Sequence, residues 1–166
     1  MSAVLDSAQL PGMFKLNPDG SLVWLSVSKY HLEKLGRLAG SPVPNRSGKK
    51  YWSVSINGRK IKRSRIVFAL IHGRWPSGQI DHINGNSLDD RPSNLREATQ
   101  TQNAWNHKKR TKRSPMPMGV RQIPSGRYLA RIACNKTKYA LGIFDDVRDA
   151  EAAYQSARHR LFGEFA

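Results

Sequence analysis

The chain has 166 residues, and 28 Lys and Arg against 12 Asp and Glu give it a formal net charge of +16, which is typical of a protein that binds a polyanion such as nucleic acid. A membrane partner is not expected, because no apolar run reaches the ~18 residues that span a bilayer and no long amphipathic basic helix is evident. The N-terminus has no signal-peptide pattern and the single cysteine excludes an intramolecular disulfide, so we expect a reducing, cytoplasmic location.

The N-terminal part predicts a β-hairpin followed by a helix. Residues 1 to 12 carry no pattern, so we expect them to be frayed. Residues 14–24 form two short apolar runs around an Asn-Pro-Asp-Gly turn, which is typical of a hairpin. The apolar spacing of residues 28–38 is compatible with a helix, and the Ser-Pro-Val-Pro sequence at 41–44 ends it.

A second hairpin is predicted before the centre of the chain. Residues 51–56 alternate between apolar and polar types, an Asn-Gly pair supplies a tight turn, and residues 60–63 return. The Lys and Arg side chains of this hairpin, Arg63 among them, are either a surface that contacts DNA phosphates or an ordinary solvated face. Residues 65–72 are strongly apolar and predict a buried helix.

The segment 79–107 concentrates polar side chains among turn residues and predicts a strand, a loop, a strand and a helix. Its candidate functional residues are Asp81, His82, Asn94, Asn103 and His107. A carboxylate and an amide are hard oxygen ligands suited to Mg²⁺ or a similar ion, and an imidazole can take a proton from water. Neighbouring strand residues point to opposite faces, so Asp81 and His82 share one site only if the strand ends or bends there. Alternatively, the segment is a polar hairpin whose Asp and Asn side chains satisfy turn amides.

The sequence DHINGNSLDDRPSNLREATQTQN at 81–103 closely resembles the HNH nucleases, in particular their homing-endonuclease branch with a ββα-metal fold. The resemblance implies that Asp81 and Asn103 bind one divalent metal ion, Mg²⁺ or Mn²⁺, and that His82 is the general base. It also implies that Asn94 holds the loop of His82 through hydrogen bonds to the backbone. A decayed or structural copy of the motif is the alternative.

Two further features of the motif bear on its chemistry. The third motif residue is His in some HNH enzymes and Asn in others, and here Asn103 has the homing-type spacing. His107 lies one helical turn later, where it would support the site, contact a phosphate or stay solvated. Many HNH proteins brace the fold with paired CxxC motifs, but this chain has only Cys134, so no structural zinc ion is expected.

A basic run follows the motif helix and ends in a Ser-Pro-Met-Pro-Met sequence. We interpret residues 108–118 as a linker that tracks DNA phosphates or a minor groove. The residues of this linker that are predicted to contact DNA are Lys108, Lys109, Arg110, Lys112 and Arg113.

Residues 119–166 predict a separate unit. Three runs alternate with a period of two and a helix with an apolar stripe follows, which indicates a three-stranded antiparallel sheet covered by one helix. On the exposed face of this sheet, Arg121, Arg131 and Lys138 would form a basic surface sized for a major groove. The sequences GVRQIPSGRYLARI, LGIFDD and AEAAYQSA resemble an AP2 DNA-binding domain, which implies binding of double-stranded DNA through the sheet.

Together these patterns predict an α+β chain in three parts. Residues 1–107 would hold N-terminal β-hairpins and a ββα-metal HNH nuclease core at 79–107, residues 108–118 the linker, and residues 119–166 the AP2-like unit. The predicted function is a homing-type, metal-dependent endonuclease or nickase that acts as a monomer on duplex DNA, as in mobile endonucleases of phage and related genomes. The alternatives are a DNA-binding regulator with a vestigial nuclease unit and a basic RNA-binding protein, against which the AP2-like sheet argues.

Overall fold

The structure is a computed structural model that describes residues 5–106 and 116–165, without the side chain of residue 106. The chain divides into two compact units, Met1–Asn103 and Ala104–Ala166. Within the described ranges, no helix has the length and apolar character needed to cross a membrane. The predicted boundary at residue 107 and most of the predicted linker at 108–118 lie outside the described residues, so both stay predictions.

The first unit consists of small antiparallel sheets and short helices. Its strands are β1 (Phe14–Leu16), β2 (Leu22–Trp24), β3 (Ser41–Pro44), β4 (Lys50–Ile56), β5 (Arg59–Lys62), β6 (Gln79–His82) and β7 (Leu95–Ala98). Its helices are α1 (Leu10–Met13), α2 (Arg63–His72) and the beginning of α3 (Gln100–Asn106). Strand β1 pairs with β2, β4 pairs with both β3 and β5, and β6 pairs with β7.

Both predicted N-terminal hairpins are present, and the sequence explains the turn of the second. Between β4 and β5, Asn57 and Gly58 have φ angles of 48° and 76°. A type I′ turn requires positive φ at both positions, and Asn and Gly adopt it at little cost. Strand β3 was not predicted, because Pro42 and Pro44 suggest a break. Strand β3 lies at the edge of its sheet, where proline is tolerated because the backbone N–H that it lacks has no further strand to bond.

The predicted helix at residues 28–38 is wrong. The structure has a 3-10 helix at Lys29–Lys34, which His31 interrupts with a non-helical φ of −136°. The side chains that suggested an apolar helical face, Tyr30 and Leu32, are 77% and 64% exposed. Most of the stability of a helix in a protein comes from packing of its apolar face, and this segment has no such packing to extend it.

Residues 1 to 12 were predicted to be frayed, but Leu10 belongs to the core of the first unit. Leu10 is fully buried. It packs in one cluster with Phe14 and Trp24 from the first hairpin and with Ile66 and Val67 from α2, which is buried as predicted. Each such side chain contributes roughly 1.5–3 kcal/mol when it is buried. The first hairpin is therefore an integral part of the scaffold.

The second unit is an antiparallel sheet with a long helix packed against it. Its elements are β8 (Val120–Gln122), β9 (Tyr128–Cys134), β10 (Thr137–Phe144) and α4 (Val147–Phe162), and the strand order is β10-β9-β8. The Asp146 carboxylate accepts a 2.6 Å hydrogen bond from the backbone N–H of Arg148 and so caps the start of α4. Ala150 of α4 packs against Val120 and Ala130 of the sheet. The arrangement of strands and helix is the predicted one.

Gly20→Ala is expected to destabilise the protein more than Gly58→Ala. Both glycines have positive φ, 79° and 76°, so both variants carry a similar backbone strain of about 1 kcal/mol. A Cβ atom at Gly20 would overlap the carbonyl group of Asp90, whereas a Cβ atom at Gly58 meets nothing within 4 Å. Urea unfolding is expected to show a further loss of about 1–3 kcal/mol for Gly20→Ala. Equal destabilisation of the two variants would contradict the close packing of the first turn on Asp90.

Candidate active site

The candidate site is built on the β6–β7 hairpin and on helix α3. Strand β6 ends at His82, and Asp81 pairs with Arg96 of β7. A loop at residues 83–91 and a 3-10 turn at Pro92–Asn94 connect the two strands. The predicted order of strand, loop, strand and helix is confirmed.

The Asp81 carboxylate is buried against a basic neighbour. Asp81 is 5% exposed, and its Oδ2 accepts a 2.9 Å hydrogen bond from Arg96 Nε. The Nη2 atom of Arg96 also lies 2.9 Å from Oδ2. The two residues face each other across the hairpin, where opposite charges stabilise strand pairing.

The His82 imidazole contacts a second buried acid. His82 Nε2 lies 2.8 Å from Asp90 Oδ1, and Asp90 Oδ2 accepts a 2.8 Å hydrogen bond from Arg63 Nε. Asp90 is only 1% exposed. The Arg63 guanidinium also lies over the ring of Trp52, 4.3 Å from its centroid, which adds a cation–π contact. His82, Asp90 and Arg63 therefore form a row of charged and polar contacts inside the first unit.

This row corrects the prediction that Arg63 contacts DNA. Arg63 stands in sequence next to the exposed Lys60 and Lys62 of β5, which suggested a common basic surface. Helix α2 begins at Arg63, however, and the Arg63 side chain is buried in an ion pair with Asp90. A guanidinium in this position is not accessible to a phosphate.

The Asn94 side chain ties together the loop that follows His82. Its Nδ2 donates a 2.7 Å hydrogen bond to the carbonyl oxygen of Asp89, and its Oδ1 accepts a 3.0 Å hydrogen bond from the backbone N–H of Asn84. The backbone N–H of Ile83 also donates to the Asn94 carbonyl oxygen at 2.9 Å. These are backbone contacts of the kind that its predicted role requires.

Strand β4 supports the same loop from another side. Ser87 Oγ donates a 2.6 Å hydrogen bond to the carbonyl oxygen of Lys50. Trp52 Nε1 donates a 3.1 Å hydrogen bond to the carbonyl oxygen of Leu88. The loop is thus fixed by Asn94 within the hairpin and by β4 beside it.

The Asn103 side chain reaches from α3 to the start of β6, where its Nδ2 donates a 2.6 Å hydrogen bond to Gln79 Oε1. Gln79 and Asp81 share one face of β6, because side chains two residues apart on a strand point the same way. Strand β6 ends at His82, which is the condition for Asp81 and His82 to share one site. The His82 ring is directed toward Asp90. The meeting of Asp81, His82 and Asn103 around one cation stays a prediction.

The donor atoms on this face suit a hard divalent cation. Mg²⁺ binds through one or two carboxylate groups and completes its shell with waters and substrate phosphate oxygens. Arg96 Nε and Nη2 lie beside Oδ2 of Asp81, and Gln79 Oε1 accepts a hydrogen bond from the nitrogen of the Asn103 amide. Among the described residues, no group of three or more His, Cys, Asp or Glu side chains could hold a metal ion. A cation at this site would therefore depend on Asp81 and Asn103 together with water and phosphate.

In the second unit, the strand register puts three predicted cations on one face. Arg121 pairs with Leu129, and Lys138 pairs with Ala133. Leu129, Arg131 and Ala133 alternate along β9 with the side chains that are buried toward α4. Arg121, Arg131 and Lys138 are therefore exposed together on the sheet face opposite α4.

The remaining predicted DNA contacts lie outside the described residues, and so does His107. These predicted contacts are Lys108, Lys109, Arg110, Lys112 and Arg113.

Three residues of the site were not predicted from the sequence. Arg96 directly follows Asn94 and Leu95 at the start of the second strand. Pairing the two predicted strands in register would have placed it opposite Asp81. Gln79 would have been found from its position two residues before Asp81 on the same strand face. Asp90 gave no local signal, because it stands in a run of turn-forming polar residues and its partner Arg63 is 27 residues away.

The comparison with protein families agrees with this arrangement. Residues 62–105 match the family model described as HNH endonuclease. The match runs from the end of β5 through α2 and the β6–β7 hairpin into α3. The central part of the chain is therefore similar to an HNH endonuclease domain, and the predicted resemblance is confirmed at that level.

A curated relative extends the similarity beyond this segment. A protein of Acanthamoeba polyphaga mimivirus named as an uncharacterized HNH endonuclease is 33% identical over 121 residues, which cover 72% of this chain. The chain spans 63% of the length of that relative. No solved structure matches the chain.

At the other end of the hairpin, Glu97 is held by several donors. Arg74 Nη2 and Ser77 Oγ donate to its carboxylate, each at 2.7 Å, and so does the backbone N–H of Gly78. The hydrogen bond from Arg74, followed by those from Ser77 and Gly78, lowers the pKa of Glu97 from 4.5 to about 2. These contacts stabilise the ionised carboxylate in the folded protein.

Glu97→Gln is expected to lower the free energy of unfolding by about 1 kcal/mol at neutral pH, since the group is partly exposed and screened by solvent. Because the folded pKa lies below the unfolded value, the contribution of Glu97 is present above pH 4.5 and is lost as the pH falls toward about 2. Urea unfolding of both proteins across this range should show their stabilities converging at low pH. A difference in stability between the two proteins that does not change with pH would contradict the lowered pKa of Glu97.

Proposed function

We propose that the chain is a divalent-metal-dependent DNA endonuclease or nickase of the homing type, which hydrolyses phosphodiester bonds in duplex DNA. The main support is that Asp81 and His82 end strand β6, Asn94 lies in the 3-10 turn before β7 and Asn103 lies on α3, all within the segment that matches the HNH endonuclease model. The family match and the named relative support a nuclease that acts on DNA with a divalent metal. Mg²⁺ or Mn²⁺ is the metal that we propose.

In the proposed reaction, His82 takes a proton from a water molecule aimed at the scissile phosphorus. Asp81 and Asn103 would hold the metal, which when bound stabilises the negative charge that builds up on the phosphate and on the leaving 3′-oxygen. Asn94 keeps the loop beside His82 in place through its contacts with the backbone of Asn84 and Asp89. One base and one metal site imply that each protomer cuts one strand.

The second unit would supply affinity for the target. Its outer sheet face carries Arg121, Arg131 and Lys138, and a row of cations on an exposed sheet suits the phosphates and base edges of duplex DNA. The AP2-like sequence pattern of residues 119–166 supports this assignment. The basic residues at 108–113 would add phosphate contacts.

A DNA-binding regulator with an inactive HNH unit is the second candidate. The Arg96 side chain favours it, because a carboxylate that is already neutralised by a guanidinium attracts a cation less strongly. In the nuclease, the metal would share Asp81 with Arg96 or displace it. Cleavage therefore separates the two candidates.

Cleavage of supercoiled plasmid in the presence of Mg²⁺ or Mn²⁺ is the direct test. The protein is expected to convert the plasmid to the nicked or linear form, and a chelator should stop the reaction. His82→Ala removes the proposed base and should lower the rate by at least about 10²-fold while DNA affinity is retained. Glu97→Gln, on the same hairpin, serves as the matched control and should cleave at the wild-type rate.

Two results would contradict the nuclease. No cleavage with either metal, under conditions where the protein binds the plasmid, would favour the regulator. Cleavage that His82→Ala leaves unchanged would mean that another group or a contaminating enzyme acts as the base.

The DNA surface is tested by the salt dependence of binding. Replacing Arg121, Arg131 and Lys138 together with Ala is expected to reduce the slope of log K against log salt by about 0.9 for each phosphate that is no longer neutralised. Arg148→Ala removes an exposed cation on α4, which packs on the other sheet face, and is the control. The same small change of slope in both proteins would exclude the outer sheet face as the DNA surface.

A further inference from the structure

We propose that Asp90 is a positioning residue that fixes the tautomer and the orientation of the His82 imidazole, and that Arg63 in turn fixes Asp90. This inference rests on the proposed role of His82 as the general base. It assigns Nδ1 as the ring nitrogen that takes the proton from water. It goes beyond the motif, whose four residues do not include Asp90 or Arg63.

The geometry shows how Arg63 orients the acid. Each oxygen of the Asp90 carboxylate has its own partner at 2.8 Å: Arg63 Nε for Oδ2 and His82 Nε2 for Oδ1. Because Arg63 occupies one oxygen, rotation of the carboxylate is restricted and the other oxygen stays directed at the imidazole. The stacking of Arg63 on Trp52 restricts the guanidinium as well.

Burial strengthens this arrangement. The side chains of Arg63, Asp90 and His82 are 7%, 2% and 13% exposed, so water competes little for their hydrogen bonds. On the backbone side, Gly20 of the first turn fits against the Asp90 carbonyl with no space for a side chain. The acid is therefore held at both its side chain and its backbone.

The choice of ring nitrogen follows from hydrogen-bond chemistry. An ionised carboxylate only accepts hydrogen bonds, so the Nε2 atom beside Asp90 Oδ1 carries the hydrogen. In a neutral imidazole the lone pair then belongs to Nδ1. A general base needs that lone pair in a fixed direction, and a carboxylate on the opposite ring nitrogen supplies it.

Asp90→Asn distinguishes positioning from a purely structural role. The amide has nearly the same shape as the carboxylate, and Arg63 would retain its oxygen as an acceptor. The amide nitrogen would then donate to Nε2 of His82, which moves the ring hydrogen to Nδ1 and blocks the proposed base. A comparable substitution in a Ser-His-Asp triad lowers turnover by about 10⁴-fold, so we expect a fall in single-turnover cleavage of at least about 10²-fold with unchanged DNA affinity.

The experiment measures the ring tautomer of His82 by nitrogen NMR of labelled full-length protein, and cleavage in parallel. The wild-type neutral ring should carry its hydrogen on Nε2, and Asp90→Asn should shift it to Nδ1. Arg63→Lys weakens the ion pair that orients Asp90 but keeps the carboxylate beside His82, so it should retain the Nε2 tautomer and lower cleavage less than Asp90→Asn does. Glu97→Gln, an acid-to-amide change on the same hairpin, should alter neither measurement.

The two readouts separate this inference from the proposed function. A wild-type ring with its hydrogen on Nδ1 would overturn the inference, even if Asp90→Asn failed to fold. A folded Asp90→Asn variant with an unchanged tautomer or unchanged cleavage would overturn it as well. If the wild type does not cleave DNA but shows the Asp90-dependent tautomer, the nuclease proposal fails while the control of His82 by Asp90 stands.

Discussion

The buried carboxylate of Asp90 is the contact on which the rest of the first unit depends. Its two oxygens join the start of α2 through Arg63 and the end of β6 through His82, and the backbone carbonyl of Asp90 packs against Gly20 of the N-terminal turn. Removing one partner of a buried ion pair costs about 3–5 kcal/mol, because the other charge is left without compensation. Elements that are far apart in sequence are therefore locked into one arrangement around His82, and the first hairpin contributes to that arrangement without belonging to the motif.

Charge pairing also explains how a strongly basic chain keeps acids in its candidate site. Each of the four acids on the hairpin and its loop has an arginine partner: Asp81 with Arg96, Asp89 with Arg91, Asp90 with Arg63 and Glu97 with Arg74. The hydrogen bond from Arg91 is the largest of the effects that lower the pKa of Asp89. The arginine partners thus stabilise these carboxylates as hydrogen-bond acceptors, while the surplus positive charge of the chain still favours a polyanion.

Local sequence was sufficient where local chemistry decides the structure. The Asn57-Gly58 turn, the apolar helix at Arg63–His72 and the strand, loop, strand and helix of the motif follow from backbone preferences and periodicity. Local sequence was insufficient where a contact with a residue far away in the chain decides the structure. Leu10 stands in a stretch without apolar periodicity, and packing against other elements makes it part of the core. Arg63 resembles its basic neighbours in sequence, and only the acid 27 residues later turns it inward.

We propose that Asp81 and Asn103 hold a divalent cation beside His82, and the cleavage mechanism depends on it. Anomalous diffraction from a crystal of the full chain with duplex DNA and Mn²⁺ tests it most directly. We predict one anomalous peak at direct ligand distance, about 2.1 Å, from a carboxylate oxygen of Asp81 and from the amide oxygen of Asn103, with a DNA phosphate completing the shell. A complex in which Asp81 keeps both contacts with Arg96 and no peak lies near it would contradict the claim.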